Sequence, residues 1–228
     1  MGRGQVVRHL VLVQAFGGSN PSAPATNLIN LETSIICLIL SISIPFLSCA
    51  EVQEITNPTV IESEMNQAHY PIDNFSTGIT KKPFGIYISP STSPVQPERF
   101  SGYHTGVDVE VDDLSDVWVY AVSDGEVLSV REIDGYGGVI QVLFDIDGTE
   151  YTALYGHLDL GSSIISVGDQ VYSGDRLAIL GDAYSVETDG ERKHLHFSLK
   201  PGLDYDLRGY VSTEEELSAW VDPEIVLK

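Results

Sequence analysis

The sequence predicts an all-β protein with antiparallel strands. From Val117 onward, short runs rich in β-branched and aromatic residues recur, and Asp-Gly or Gly-Asp turns separate them. Such pairs supply the positive φ or the Asx geometry of tight hairpins, so consecutive strands are expected to pair antiparallel. The predicted strands are 117–122, 127–131, 139–144, 151–155, 177–180 and 194–199.

One short helix is predicted near the carboxyl end. Ser212-Thr213-Glu214-Glu215 forms a capping box, apolar residues follow at Leu217 and Trp220, and Pro223 is expected to end the helix. We interpret Trp220 as a core anchor.

The length of 228 residues predicts one main domain of ~100 to 150 residues with extensions. Residues 84–88 form an apolar run before Ser and Pro residues, which is typical of an edge strand. The stretch from Cys49 to about Lys82 is polar and aperiodic, and it predicts a tether. The predicted organisation is a leader over 1–49, a polar tether with an edge strand over 50–97, the main domain over 98–200, and an extension with a short helix over 201–228.

The leader predicts export. Its apolar stretch, residues 35–47, is about as long as a signal-peptide core and shorter than the ~20 residues of a spanning helix. Residues 46–50 resemble a lipoprotein processing box that would lipidate Cys49, and the alternatives are simple cleavage or an uncleaved anchor. Glu32, with no adjacent Lys or Arg, precedes the stretch, which suggests that residues up to about Thr26 are spurious upstream translation.

Composition excludes some partners. The formal net charge is -21, so the surface repels polyanions, and nucleic-acid binding is not expected. A merely solvated acidic surface explains the charge equally well. Both cysteines, Cys37 and Cys49, lie in the leader, which leaves the main domain without disulfides or thiol chemistry.

Four of the six histidines lie in three short segments that together predict a zinc site. The segments are His104-Thr105-Gly106-Val107-Asp108, Tyr155-Gly156-His157-Leu158 and His194-Leu195-His196. Zinc in a hydrolase takes three N or O ligands from protein and keeps one corner for water. A His-x-x-x-Asp segment with one distant His suffices, and two histidines remain for proton transfer.

Local geometry is compatible with this site. Residues two apart in a strand share a face, so His194 and His196 are expected to line the same cleft. His104 and Asp108 would also share a face if their segment is extended, and Gly106 permits a close backbone turn. Each motif is weak alone, and the hypothesis depends on their combination.

These motifs resemble the lysostaphin and LytM type zinc metallopeptidases over about residues 100–199. The matching motifs are His-x-Gly-x-Asp at 104–108, Ala-x-x-Asp-Gly-x-Val at 121–127, Gly-Tyr-Gly at 135–137, Leu-Tyr-x-His-Leu at 154–158, Val-Gly-Asp-x-Val at 167–171 and His-Leu-His-Phe at 194–197. The resemblance implies a two-sheet β sandwich with a cleft, and hydrolysis of peptide cross-links in bacterial peptidoglycan.

The resemblance also implies the site residues. His104, Asp108 and His196 would bind one zinc ion, and His157 and His194 would be the catalytic histidines. We assign His194 as general base and His157 as the group that stabilises the tetrahedral intermediate, two roles that are open to exchange.

Two departures from the family pattern bear on activity. The loop 182–193 is longer and more acidic than is usual before His-Leu-His, and it ends in Gly190-Glu191-Arg192-Lys193. Ser198 stands where the family commonly has Glu, which would remove a carboxylate of the kind that orients a liganding imidazole.

Two other function classes are alternatives. A non-catalytic LytM-type domain would bind the cell wall or activate a partner amidase, but such domains usually lack some of the metal ligands. A lipoyl or biotinyl carrier is suggested by the hairpin at 167–171, but no Lys occurs between Leu158 and Arg192 to carry the group. The membrane is expected as a partner only through an anchor at Cys49.

Overall fold

The computed structural model describes residues 68–112 and 115–228. The predicted leader, including its apolar stretch and Cys49, lies outside the described residues, as does the tether up to residue 67. Within the described ranges, none of the helices combines the length and the hydrophobicity that crossing a membrane would require.

The described chain consists mainly of antiparallel strands, as predicted, and all six predicted strands are present. The strands are β1 (Tyr87–Ile88), β2 (Gly102–His104), β3 (Val107–Glu110), β4 (Trp118–Tyr120), β5 (Gly125–Ile133), β6 (Gly137–Ile146), β7 (Thr149–Asp159), β8 (Gln170–Val171), β9 (Arg176–Leu180), β10 (His194–Pro201) and β11 (Tyr210–Val211). The helices are α1 (Phe75–Gly78), α2 (Glu214–Leu217) and α3 (Pro223–Val226), with a 3-10 turn at Leu160–Ser162.

The strands form two sheets. The large sheet has the order β3-β10-β7-β6-β5-β8, and β9 pairs with the end of β7 on one side and with β4 on the other. The small sheet has the order β1-β2-β11. Strand β3 therefore lies at an edge of the large sheet, and β2, which precedes it in the chain, lies at the centre of the small one.

Successive side chains of β10 point alternately into the core and toward the opposite face of the sheet. Leu195, Phe197 and Leu199 are fully buried in the hydrophobic core, together with apolar residues of β3, β4, β7 and β9. His194 and His196 alternate with these residues along the strand and therefore face away from this core. Burial of a large apolar side chain contributes about 1.5–3 kcal/mol, so the core face fixes the register and thereby the direction of the histidines.

The last residues of the segment predicted as a polar tether are instead packed into the folded domain. Ile72 and Phe75 are each 1% exposed, and the Phe75 ring meets Phe197 edge to face with centroids 6.0 Å apart. Lys82 is 2% exposed. Isolated apolar residues carry no periodic pattern, so their burial depends on tertiary contacts that local sequence does not reveal.

The carboxyl end has two short helices where one was predicted. Thr213 caps α2 by accepting the Glu216 backbone N–H at 3.2 Å, and the Glu216 carboxylate accepts the Ser212 N–H at 2.9 Å. Pro223 occupies the first turn of α3 and so begins a helix, whereas the sequence predicted that it would end one. Proline is tolerated there because a first-turn N–H has no partner within the helix. Trp220 is buried as predicted, and the cations of Lys200 and Arg208 lie over its ring at 4.5 and 5.2 Å.

Replacement of Phe197 with Ala should lower the free energy of unfolding by about 3–5 kcal/mol, because the lost ring leaves a cavity in the core. Its neighbours Phe75 and Tyr155 lie with ring centroids 6.0 and 5.1 Å away. The control Tyr184→Ala, at a side chain 78% exposed, should change the free energy by less than about 0.5 kcal/mol. Urea denaturation measures both; equal midpoints for the two variants would contradict this placement of the core.

Candidate metal centre and cleft

Three elements bring His104, Asp108 and His196 together. His104 ends β2, and Asp108 of β3 stands directly opposite His196 of β10 in the large sheet. His104 Nε2 lies 3.1 Å from His196 Nδ1 and 3.2 Å from Asp108 Oδ1, and His196 Nδ1 lies 3.1 Å from the same oxygen. All three side chains are buried.

His104 and Asp108 do not lie in one extended strand, which was the condition under which the sequence predicted that they would share a face. The chain leaves the small sheet at His104 and enters the large sheet at Val107. At the crossing, Gly106 packs against β10 so closely that a Cβ would overlap the Phe197 carbonyl oxygen. The two ligands therefore meet because the chain changes sheets, and a residue without a side chain is needed at that point.

The outer ring nitrogens of His104 and His196 each have an oxygen partner. His104 Nδ1 lies 3.3 Å from the Pro83 carbonyl, which accepts only if that nitrogen carries the proton. His196 Nε2 lies 3.4 Å from the Tyr136 hydroxyl. With protons on the outer nitrogens, both inner nitrogens would direct their lone pairs at a metal ion bound beside Asp108 Oδ1.

The donor set fits a zinc ion. Tetrahedral zinc with ligands at 2.0–2.2 Å places its ligand atoms about 3.3–3.5 Å apart, close to the separations of 3.1–3.2 Å between these three atoms. Burial by itself would raise the pKa of Asp108, but the neighbouring imidazoles hold it well below its usual value, so the carboxylate is ionised. A zinc ion between these atoms would compensate the buried anionic oxygen and accept both imidazole lone pairs.

His157 reaches the site through a β-bulge. Its neighbours Gly156 and Leu158 stand opposite Val139 and Gly138 of β6, so His157 is an extra residue without a partner across that ladder. Its φ is 66°, in the left-handed region. In a regular strand this side chain would point into the core with Tyr155, and the bulge turns it toward the cleft.

The two remaining site histidines lie side by side, with ring centroids 4.2 Å apart. His194 Nδ1 lies 2.8 Å from the Arg192 carbonyl, an arrangement that places its proton on Nδ1 and leaves Nε2 unprotonated, 3.4 Å from Asp108 Oδ2. His157 Nδ1 is buried, and no partner for it occurs among the described residues. Burial is the main reason that the pKa of His157 falls to about 3 and that of His194 lies well below its ordinary value, so both imidazoles are neutral.

A cleft of about 310 Å³ opens over these groups. Its lining includes Tyr136, Glu191, Arg192 and residues 207–210. Asp189 ties the loop 182–193 to the segment before Tyr136, because its carboxylate accepts the Gly135 N–H at 2.9 Å and an Arg99 N–H at 2.7 Å. The loop 182–193 thus borders the cleft.

Comparison with known proteins identifies the domain. Residues 102–206 match the profile of Peptidase family M23. This region of the chain is similar to the M23 peptidase family, whose profile covers just under half of the chain. The family is zinc-dependent, and the convergence of His104, Asp108 and His196 agrees with that property.

Relatives of the M23 domain include a phage enzyme and two solved structures. The chain is 29% identical over 139 residues to Endolysin 2638A of Staphylococcus phage 2638A, covering 54% of this chain and 27% of the endolysin. The structure of LytU is 26% identical with a TM-score of 0.42, covering 64% of this chain and 83% of that one. The solution structure of lysostaphin is 23% identical with a TM-score of 0.44, covering 72% and 54%. The chain thus spans about a quarter of the endolysin's length.

Several residues of the M23 site were not predicted from sequence. Tyr136 was noted only as part of the Gly-Tyr-Gly motif, yet its ring covers Gly156, where a Cβ would lie 2.6 Å from Tyr136 Cδ1, and its hydroxyl faces His196. Tyr210 stacks on His104 with centroids 5.1 Å apart. Tyr136 could have been found from its motif, whereas Tyr210 lies in the extension and carries no local pattern.

A buried ion pair supports the wall of the cleft beside the metal ligands. Lys82 Nζ lies 2.6 Å from Glu98 Oε2, and both side chains are 2% exposed. The same ammonium donates to the Tyr210 hydroxyl at 3.1 Å, and Ser93 donates to the Glu98 carboxylate at 2.8 Å. The pair therefore fixes Tyr210 against His104 and connects the segment before the M23 domain to its site.

Replacement of Lys82 with Met should lower the free energy of unfolding by about 3–5 kcal/mol, because it leaves the Glu98 carboxylate buried without a counter-ion. The double variant Lys82→Met/Glu98→Gln should recover much of this loss. The adjacent Lys81→Met is the matched control: Lys81 is 44% exposed, and its pair with Glu110 should be worth less than about 1 kcal/mol. Denaturant titration of the four proteins, including the unmodified chain, measures the effect; similar losses at both lysines would contradict it.

Proposed function

We propose that this chain is a zinc-dependent endopeptidase that uses one zinc ion to hydrolyse peptide cross-links of bacterial cell-wall peptidoglycan. The observation that carries the proposal is the set of donor atoms on His104, Asp108 and His196, 3.1–3.2 Å apart, beside two neutral histidines outside the ligand set. The M23 match and the similarity to a phage endolysin support peptidoglycan as the substrate class.

The ligand residues and the two other histidines have separate tasks in the proposed reaction. A zinc ion held by the three ligands supplies a Lewis acid and lowers the pKa of a bound water toward ~7. His194 holds its own proton on Nδ1 against the Arg192 carbonyl. Its Nε2, 3.4 Å from Asp108 Oδ2, is therefore unprotonated and can accept a proton from the attacking water and return it to the leaving amine.

His157 is suited to stabilise developing charge. As a neutral imidazole it carries one N–H, which can donate to the substrate oxygen that becomes negative during attack. The side chains of His157 and His194 are 4% and 3% exposed, so little water competes for these hydrogen bonds. The bulge that aims His157 at the cleft is therefore a requirement of the proposed chemistry.

The substrate also bears on location. Peptidoglycan lies outside the cytoplasmic membrane, so export through the leader over residues 1–49 is part of the proposal, and attachment through a lipid on Cys49 is its membrane-anchored form. The non-catalytic alternative, a domain that binds cell wall or activates an amidase, would need the same surface but no proton transfer.

Replacement of His157 with Ala should leave zinc binding intact and reduce cleavage by about 10²–10³-fold, because only a hydrogen-bond donor to the developing charge is lost. Replacement of His196 with Ala should abolish zinc binding, because a ligand is lost. The matched control is His69→Ala, at an exposed histidine outside the site, which should behave like the unmodified chain.

Zinc content by atomic absorption and peptide release from purified peptidoglycan measure the two effects. Equal zinc loss in the His157 and His196 variants would overturn the division of roles. Bound zinc in the unmodified protein with no release of peptides from any peptidoglycan tested would favour the non-catalytic alternative.

Zinc should also stabilise the fold. A ligand that binds only the native state at 100 times its dissociation constant adds about 2.7 kcal/mol to the free energy of unfolding. Removal of zinc with a chelator should therefore lower the melting temperature of the unmodified protein and restore it on re-addition. The His196→Ala variant should show no such response in calorimetry; a shift of similar size in that variant would place the stabilising ion elsewhere.

A further inference from the structure

Arg192 lines the cleft together with Asp108 and His196. Its Nη2 donates to Asp108 Oδ2 at 2.8 Å and to Glu110 Oε1 at 2.6 Å. Its Nε lies 3.0 and 2.9 Å from the two oxygens of Glu110. One guanidinium therefore bridges the carboxylate of a metal ligand and a second carboxylate two residues further along β3, on the same face of that strand.

The two oxygens of Asp108 have different partners. Oδ1 faces His104 Nε2 and His196 Nδ1 at 3.2 and 3.1 Å, which is the proposed metal position. Oδ2 accepts from Arg192 and lies 3.4 Å from His194 Nε2. A carboxylate whose second oxygen is engaged by a cation offers the ion one oxygen, whereas an unrestrained carboxylate can turn and offer both.

The contact between Arg192 and Asp108 is buried, and Glu110 holds the guanidinium in place. The side chains of Arg192 and Asp108 are 11% and 2% exposed, so solvent screens their interaction little. Glu110, at 10% exposed, fixes the guanidinium through several hydrogen bonds, and Lys81 in turn contacts Glu110 at 3.1 Å. The planar fork of arginine can hold two carboxylates in fixed positions, which the single ammonium of a lysine cannot.

We propose that Arg192 is a positioning residue that restricts Asp108 to one-oxygen ligation and so preserves an open corner on the ion for water. The inference rests on the metal function proposed above. Four-coordinate zinc with three protein ligands keeps that corner, and a second oxygen from Asp108 would compete for it. Arg192 belongs to the long loop 182–193 that sets this chain apart, so the loop contributes to the geometry of the metal site as well as to the cleft.

Two substitutions test the role of the guanidinium. Arg192→Met removes the donors, and Arg192→Lys keeps a positive charge without the fork. Both variants should bind zinc about 10–100-fold more weakly in a chelator competition, because the ligand carboxylate loses its orienting partner. The Co²⁺-substituted forms of both should also show weaker visible absorption, as cobalt does when it passes from four to five ligands. Arg131→Met, at an exposed arginine of β5, is the matched control and should equal the unmodified protein in both measurements.

Glu110→Gln provides a second route to the same effect, because it weakens the anchor of Arg192 without touching Asp108. It should weaken zinc binding in the same direction, and it should add nothing further in the Arg192→Met background. Additive losses would show that the two residues act separately and would overturn the proposed chain of contacts.

The outcomes separate this inference from the proposed function. If the unmodified chain binds no zinc, the metal function fails and this inference fails with it. If the unmodified chain binds zinc and Arg192→Met matches it in affinity and in cobalt absorption, only the role of Arg192 is overturned. Full recovery of both properties by Arg192→Lys would also overturn it, since charge alone would then suffice. If Arg192→Met does not fold, Arg192→Lys and Glu110→Gln still decide the question.

Discussion

The site depends on one buried carboxylate. Asp108 directs one oxygen at two imidazole nitrogens and the other at a guanidinium, and it is 2% exposed. A charge in such a place is stable only when its surroundings compensate it on every side. Arg192 does so on one side, and a metal ion would do so on the other. The same electrostatic requirement therefore links the stability of the fold to the occupancy of its reactive centre.

Each of the two sheets contributes part of the surroundings of Asp108. The large sheet supplies Asp108 and His196 from adjacent strands whose opposite faces form the core, so their positions are as rigid as the packing beneath them. The small sheet supplies His104 and is held in turn by the Lys82–Glu98 pair and by Tyr210. The candidate ligands thus come from two sheets, and the chain passes from one sheet to the other within two residues.

The sequence predicts much of the fold because the relevant signals are local. Alternation of apolar and polar residues in β10 predicts the shared face of His194 and His196, and the Asp-Gly turns predict the antiparallel order. The sheet crossing after His104 was not predicted, since a short His-x-x-x-Asp segment looks the same in one strand or across two. The burial of Lys82 depends on Glu98, and the contact of Arg192 with Asp108 spans 84 residues. Neither has a local signature.

The bulge at His157 separates the reactive groups from the scaffold that carries them. A chain shortened by this single residue would regain an uninterrupted ladder between β6 and β7 while retaining every group that grips the ion. Under the proposed function, such a chain would keep the candidate zinc ligands and lose the imidazole that stabilises developing charge. A one-codon deletion in this strand would then remove a catalytic group while leaving the metal site unchanged.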